Sequence, residues 1–201
     1  MSTEERAGAA PIYNIVGDLV ALGPLVLDPD GERLHWANDF RTIRGYDPPY
    51  PMTAEHFQRI HDLTIAGKRV IFTLYERATA RLIGHAGLQG IDPRNRCAEL
   101  NLFVGAPDAR GKGYGTEATQ LVLDYAFTAL GLHSACLWVY AFNLAAIRAY
   151  EKAGLCEAGR RRESAWMGDR FWDEILMECL ARDFTSPVLG RVFTPDAPRP
   201  S

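Results

Sequence analysis

Arg110-Gly111-Lys112-Gly113-Tyr114-Gly115 puts three glycines within five residues and adds two cations, between an apolar strand-like run and the most regular helical pattern in the chain. Glycine at that density costs backbone entropy and marks a place where the chain turns sharply or admits a ligand close to its backbone. Without Cβ atoms, consecutive N–H groups can converge on one anion. The positive end of the following helix, with Arg110 and Lys112, adds charge. The chemistry is phosphate or pyrophosphate binding; the plain alternative is a flexible turn with solvated basic side chains. A Walker loop needs Ser or Thr directly after Gly-Lys and Gly at position 106, where this chain has Gly113 and Ala106. The dinucleotide pattern G-x-G-x-x-A matches at Gly113, Gly115 and Ala118. That pattern also calls for an acid at the end of the next strand, and residues 132–150 contain none.

The elements that must hold this loop are legible in outline. Residues 18–27 read as a strand, and a polar stretch with Trp36 and Phe40 reads as helical. A turn-rich YDPPYP follows at 46–51, then a helix capped by Thr53 and running to Ala66. Residues 70–76 and 82–91 form a hairpin, and 98–104 a strand with Leu100, Leu102 and Val104 on one face and Glu99, Asn101 and Phe103 on the other. One helix is expected over 116–130, its stripe Ala118, Leu121, Val122, Tyr125, Ala126 and Ala129, ended by Gly131. A strand at 135–142, a helix from Asn143 to Lys152 closed by Gly154, and two strands joined at Gly168-Asp169 complete the order. Strands, helix, strand, helix, hairpin is an α/β, or α+β layered, arrangement around a mixed sheet. Residues 1–13 are expected to be a flexible N-terminus, 14–184 one domain, and 185–201 a Pro-rich flexible tail.

Arg110-x-x-Gly113-x-Gly115 resembles the R/Q-x-x-G-x-G/A signature of the GNAT superfamily of N-acetyltransferases. Asn143 followed by Tyr150-Glu-Lys-Ala-Gly154-Leu155 is similar to that superfamily's second signature, with Leu155 where Phe is usual. Ala98-Glu99 and the late hairpin also have counterparts, so the likeness runs over about residues 18–180. It is closest to the branch that acetylates ribosomal-protein N-termini and small amines. The resemblance implies a GNAT fold: a central, mostly antiparallel, splayed sheet of six to seven strands flanked by helices. It also implies acetyl-CoA as co-substrate, with its pyrophosphate on the amides of the loop from Arg110 through Gly111, Lys112, Gly113, Tyr114 and Gly115 to Thr116. Leu102, Phe103 and Val104 would offer backbone groups to the pantetheine amides, where a splayed strand end leaves them unpaired.

The implied reaction is direct attack of an amine on the acetyl thioester, which needs a base, an oxyanion donor and a proton for the leaving thiolate. Glu99 is the first choice for the base, through a water, with a solvent-facing strand glutamate as the plain reading. His85 has the intrinsically better pKa but reads equally as a packing residue. Tyr150 stands at the family's position for the thiolate proton donor, or packs its helix onto the sheet. Asn143 caps its helix and could also hold the pantetheine arm. Trp36, Asp39, Tyr46 and Glu99, with Tyr50 and Phe57 nearby, are the expected acceptor-binding residues. The consecutive Arg160, Arg161 and Arg162 cannot share one face of a strand and read as solvated.

The chain has 201 residues and a net charge of −3, an ordinary globular balance without the basic footprint of a general nucleic-acid binder. Its four cysteines form no C-x-x-C pair, which argues against a zinc site, any other metal or a disulfide framework and for the reducing cytoplasm. Glu4, Glu5 and Arg6 stand before any apolar run, which is wrong for a signal peptide, and no apolar stretch is long enough for a membrane span. His133 and Cys136, read as one strand, point to opposite faces, so no covalent enzyme intermediate is expected. A monomer or homodimer is compatible with the final hairpin's edges. A non-catalytic acyl-CoA sensor and an NAD-binding protein are the rival readings.

Overall fold

The structure is a computed structural model that describes residues 10–26, 31–46, 50–67 and 69–196. The expected N-terminal segment before 10, the 47–49 part of the YDPPYP turn, the strand end at Leu27, and Pro198 and Pro200 lie outside the described residues.

One eight-stranded sheet organises the chain, one strand more than the six to seven expected. In spatial order it runs β1 (Ile15–Val16), β2 (Val20–Pro24), β3 (Arg69–Glu76), β4 (Leu82–Asp92), β5 (Cys97–Val104), β6 (Ser134–Tyr140), β8 (Arg170–Leu180) and β7 (Cys156–Met167). The extra strand is the two-residue β1, which precedes the expected 18–27 strand and pairs onto β2 across the turn that begins at Gly17. All neighbours are antiparallel except β5 and β6. That parallel pair is registered only over Cys97–Glu99 against Ser134–Cys136. Beyond Glu99 the strands part, and the β6-facing backbone groups of β5 have no strand partner. This opens the sheet as the resemblance implied.

Strand alternation sets two faces. Leu74, Ala86, Leu88 and Leu100 are buried on one of them beneath α4 (Tyr114–Asp124), whose Ala118, Leu121 and Val122 are at most 1% exposed. Each leucine or valine among them contributes about 1.5–3 kcal/mol. α5 (Leu144–Ala153) packs beside α4; Asn143 caps it through its Oδ1, which accepts from Ala146 N at 3.3 Å, and Gly154 closes it at φ +106°. Leu155, the departure from the family signature, is 3% exposed in the core. The opposite face carries Thr73, His85, Asn101 and Phe103, covered in part by α1 (Glu32–Asn38), α2 (Phe40–Ile43) and α3 (Ala54–Ile65).

Two expectations change. The helix expected through 130 is α-helical only to Asp124, and Tyr125–Ala129 forms a π turn, closed by Leu130 N on Tyr125 O at 3.1 Å. Asp124 is fully buried. Its Oδ1 accepts from Thr128 Oγ1, and its Oδ2 accepts from Val188 N and Leu189 N at 3.0 and 2.8 Å. The domain boundary expected at 184 therefore falls inside packed structure, because α6 (Leu189–Val192) is held by that carboxylate and buries Leu189. At the final hairpin, Gly168 takes φ +74° and Asp169 keeps an ordinary φ, as a Gly-first turn requires.

Candidate active site

Two cavities meet where β5 leaves β6. The first, of about 670 Å³, runs from the 109–116 loop to α5; the second, of about 640 Å³, lies between the sheet and α1–α3. Gly45, Tyr46, Leu102, Phe103, Asn143 and Tyr150 line both, so this is their junction.

The loop is built as an anion cradle. Gly111 and Gly113 hold φ of +76° and +87°, a region costly for any residue with a Cβ. Gly113 caps α4, and the first intrahelical bond is Glu117 N to Gly113 O, so the N–H groups of Tyr114, Gly115 and Thr116 have no helical acceptor. Arg41, Arg44, Arg110, Arg148 and Lys152 line this first cavity, and no acidic side chain among the described residues does. Only Arg110 among these was expected. Arg148 and Lys152 sit four apart, one turn of α5, and that spacing is the signal that could have found them.

The expected side chains of the loop are committed elsewhere. Arg110 donates to Val104 O through Nε and Nη2 at 3.2 and 3.1 Å and to Thr42 O at 3.2 Å, tying β5 to α2. Tyr114 donates to Glu76 Oε1 at 2.6 Å, Lys112 lies over the Tyr114 ring, and neither lines the cavity. The side chain of Asn143 is also engaged, donating from Nδ2 to Gly45 O at 3.1 Å while it caps α5. Glu117, which sequence reasoning missed, accepts from the N–H groups of Asp18, Leu19 and Val20 at 2.6–2.8 Å and latches the β1–β2 turn onto the loop.

At the junction, Tyr150 has no hydrogen-bond partner among the described residues, and burial pushes its phenol up to about 12. It is therefore protonated at neutral pH. His85 packs between Tyr46 and Phe103, and burial, with Arg33 adding to it, pulls the imidazole down to about 3. The Tyr46 hydroxyl donates to Asn101 Oδ1 at 2.8 Å and lies 3.2 Å from His85 Nε2, so a neutral His85 must donate to it. A histidine so placed is a poor base near pH 7.

Glu99 is half-buried on the second cavity's floor, in register with Gln89 and Cys136. Trp36 is 8% exposed and packs beneath Gly105, outside both cavities. Asp39 caps α2, accepting from Arg41 N and Thr42 Oγ1, and also lies outside both. These two residues were expected to contact the acceptor; local capping and packing account for them instead. Tyr46, Tyr50 and Phe57 do line the second cavity. Arg160 and Arg161 are ion-paired to Glu157, Asp173 and Glu174. Burial and the nearby Glu99 push the Cys136 thiol up, which suits no nucleophile, and His133 lies before β6 rather than on it. No group of three or more metal-ligating side chains occurs among the described residues.

Residues 20–155 match the family model described as "Acetyltransferase (GNAT) domain". The chain is 33% identical over 146 residues to the spermidine N(1)-acetyltransferase of Vibrio cholerae, covering 70% of this chain and 81% of that protein. The crystal structure of the Vibrio cholerae spermidine N-acetyltransferase with CoA and spermine superposes with a TM-score of 0.72 at 26% identity, covering 82% of this chain and 97% of that one. Two further structures from that organism, one with manganese ions and one dodecameric, are 27% and 26% identical, with TM-scores of 0.61 and 0.65. Each covers 81% of this chain, and 93% and 94% of theirs. A splayed sheet, a glycine cradle at a helix N-terminus and these likenesses agree: the chain belongs to the GNAT family of acetyltransferases, which move an acetyl group from acetyl-CoA to an amine.

Proposed function

We propose that this chain acetylates a primary amine, a peptide N-terminus or a small-molecule amine, by direct attack within a ternary complex. The observation that carries the reading is the junction: an anion cavity with no acid among its described lining residues and a second cavity meet at an uncommitted, protonated phenol. The amides of Tyr114, Gly115 and Thr116 hold the pyrophosphate of acetyl-CoA, and Arg41, Arg44, Arg148 and Lys152 surround its phosphates. Leu102 and Phe103 offer backbone groups to the pantetheine arm. Val104 contributes less, because its carbonyl already accepts from Arg110. Asn143 positions Gly45 and α5 at the junction instead of binding the arm directly.

Glu99 removes the ammonium proton through a water. The amine nitrogen bonds to the thioester carbonyl carbon, the C–S bond breaks, and Tyr150 Oη gives its proton to the departing sulfur. His85 and Asn101 hold the Tyr46 hydroxyl on the junction wall. The four cysteines are all free thiols, and no helix of the described residues is long and apolar enough to cross a membrane; both support a reducing, cytoplasmic setting. The dodecameric relative supports an assembly larger than the expected monomer or homodimer. The test is release of free CoA from acetyl-CoA with a primary-amine panel. Turnover that falls about a hundredfold in Tyr150→Phe with acetyl-CoA affinity kept supports the reading. Binding without turnover would favour an acyl-CoA sensor.

A further inference from the structure

Among the described residues, the lining of the second cavity is not acidic. Three guanidiniums line it, from Arg33, Arg69 and Arg161, against two carboxylates, Glu99 and Glu174. Most of that charge is committed. Arg33 is buried and donates to Val26 O, Thr73 Oγ1 and Gly84 O. Arg161 bonds Glu174 at 2.9 Å and lies over the Trp138 ring.

Arg69 and Glu99 are left. Neither has an ion pair or hydrogen bond among the described residues, yet both line the cavity. They sit in one row across the sheet, Arg69 opposite Gln89 and Gln89 opposite Glu99, which share one face. Two strand spacings separate their Cα atoms by about 10 Å. Arg69 therefore presents an open bidentate donor at one end of the row and Glu99 an open carboxylate at the other, the Glu99 end being on the strand that reaches the junction.

We infer that the acceptor is a primary amine that also carries a carboxylate, its ammonium drawn to Glu99 and its carboxylate held by Arg69. A polyamine would bring two or more cations beside Arg69 with one free acid among the described lining residues to receive them, which is unfavourable within a screening length. The inference rests on the acetyl-transfer reading above and adds the class of amine.

The test measures kcat/KM at saturating acetyl-CoA for phenylalanine, γ-aminobutyrate and glycylglycine, each beside its carboxamide, and for spermidine. The expected result is at least one acid favoured about tenfold over its own amide and over spermidine, since a charged hydrogen-bond pair is lost with the amide. Arg69→Gln should collapse that ratio by raising KM for the acid while leaving the amide's kcat/KM and acetyl-CoA affinity unchanged, and Arg69→Lys should restore part of it. Spermidine or the amides used as well as every acid, or an Arg69→Gln loss equal for acid and amide, would overturn the inference with acetyl transfer intact. Acetyl-CoA bound but no amine turned over would overturn both.

Discussion

Tyr150 and His85 show how burial assigns opposite duties to two titratable groups at one junction. The phenol, held near 12, stays a donor through the whole physiological range. Tyr150→Phe is expected to lower kcat about a hundredfold and to change the acetyl-CoA Kd less than threefold; stopped assays and calorimetry on the same preparation separate the two. The imidazole, held near 3 against an ordinary 6.5, binds its proton more tightly in the unfolded chain. Its contribution to stability is complete above pH 6.5 and is lost progressively as the pH falls from there toward 3. Thermal melts of His85→Gln should fall less steeply between pH 6.5 and 4 than those of the parent. The glycines could be picked from residue type and spacing, Glu99 from its place on the strand that leads into them, and Tyr150 from the resemblance of its helix to the family's second signature. The environment that disfavours His85 as base could not, because it depends on Tyr46 and Phe103 arriving from distant parts of the chain.

At the scale of elements, the cofactor loop is positioned from outside by carboxylates. Glu117 gathers three N–H groups of the β1–β2 turn, and Glu76 accepts from Tyr114. Glu117→Ala is expected to cost about 1–2 kcal/mol of stability and to raise KM for acetyl-CoA several-fold with kcat nearly unchanged. Chemical denaturation and steady-state kinetics check it. Most elements were readable because apolar periodicity, Asn143 at a cap and Gly154 at a helix end are local signals. The π turn was not: Tyr125, Ala126 and Ala129 continue the stripe, and the Asp124 contacts that accompany the extra residue come from Val188 and Leu189, more than sixty positions on. The two-residue β1 was equally hidden, since it exists only through pairing with β2.

For the whole molecule, the net charge of −3 conceals a strong local asymmetry, five cations and no acid among the described residues that line the first cavity. Acetyl-CoA affinity should therefore weaken about 3–10-fold between roughly 0.05 and 0.5 M salt, although the protein as a whole is acidic. The C-terminal segment belongs to the folded unit up to α6. Truncation after Phe184 removes two donors from a fully buried carboxylate and should lower Tm by about 5–10 °C. Proline content made that segment look detached; Val188, Leu189, Val192 and Phe193 repeat at helical spacing, but one short turn between Pro187 and Pro195 carried too little pattern to show otherwise.

The central claim, that the glycine cradle takes the pyrophosphate of acetyl-CoA, is tested most directly by titration calorimetry of the intact chain and of Gly113→Ala, with NADH as control. The account predicts one site of micromolar affinity for acetyl-CoA, about −8 kcal/mol, weakened at least tenfold by the Cβ placed at φ +87°. No binding of acetyl-CoA, or tighter binding of NADH, would contradict it.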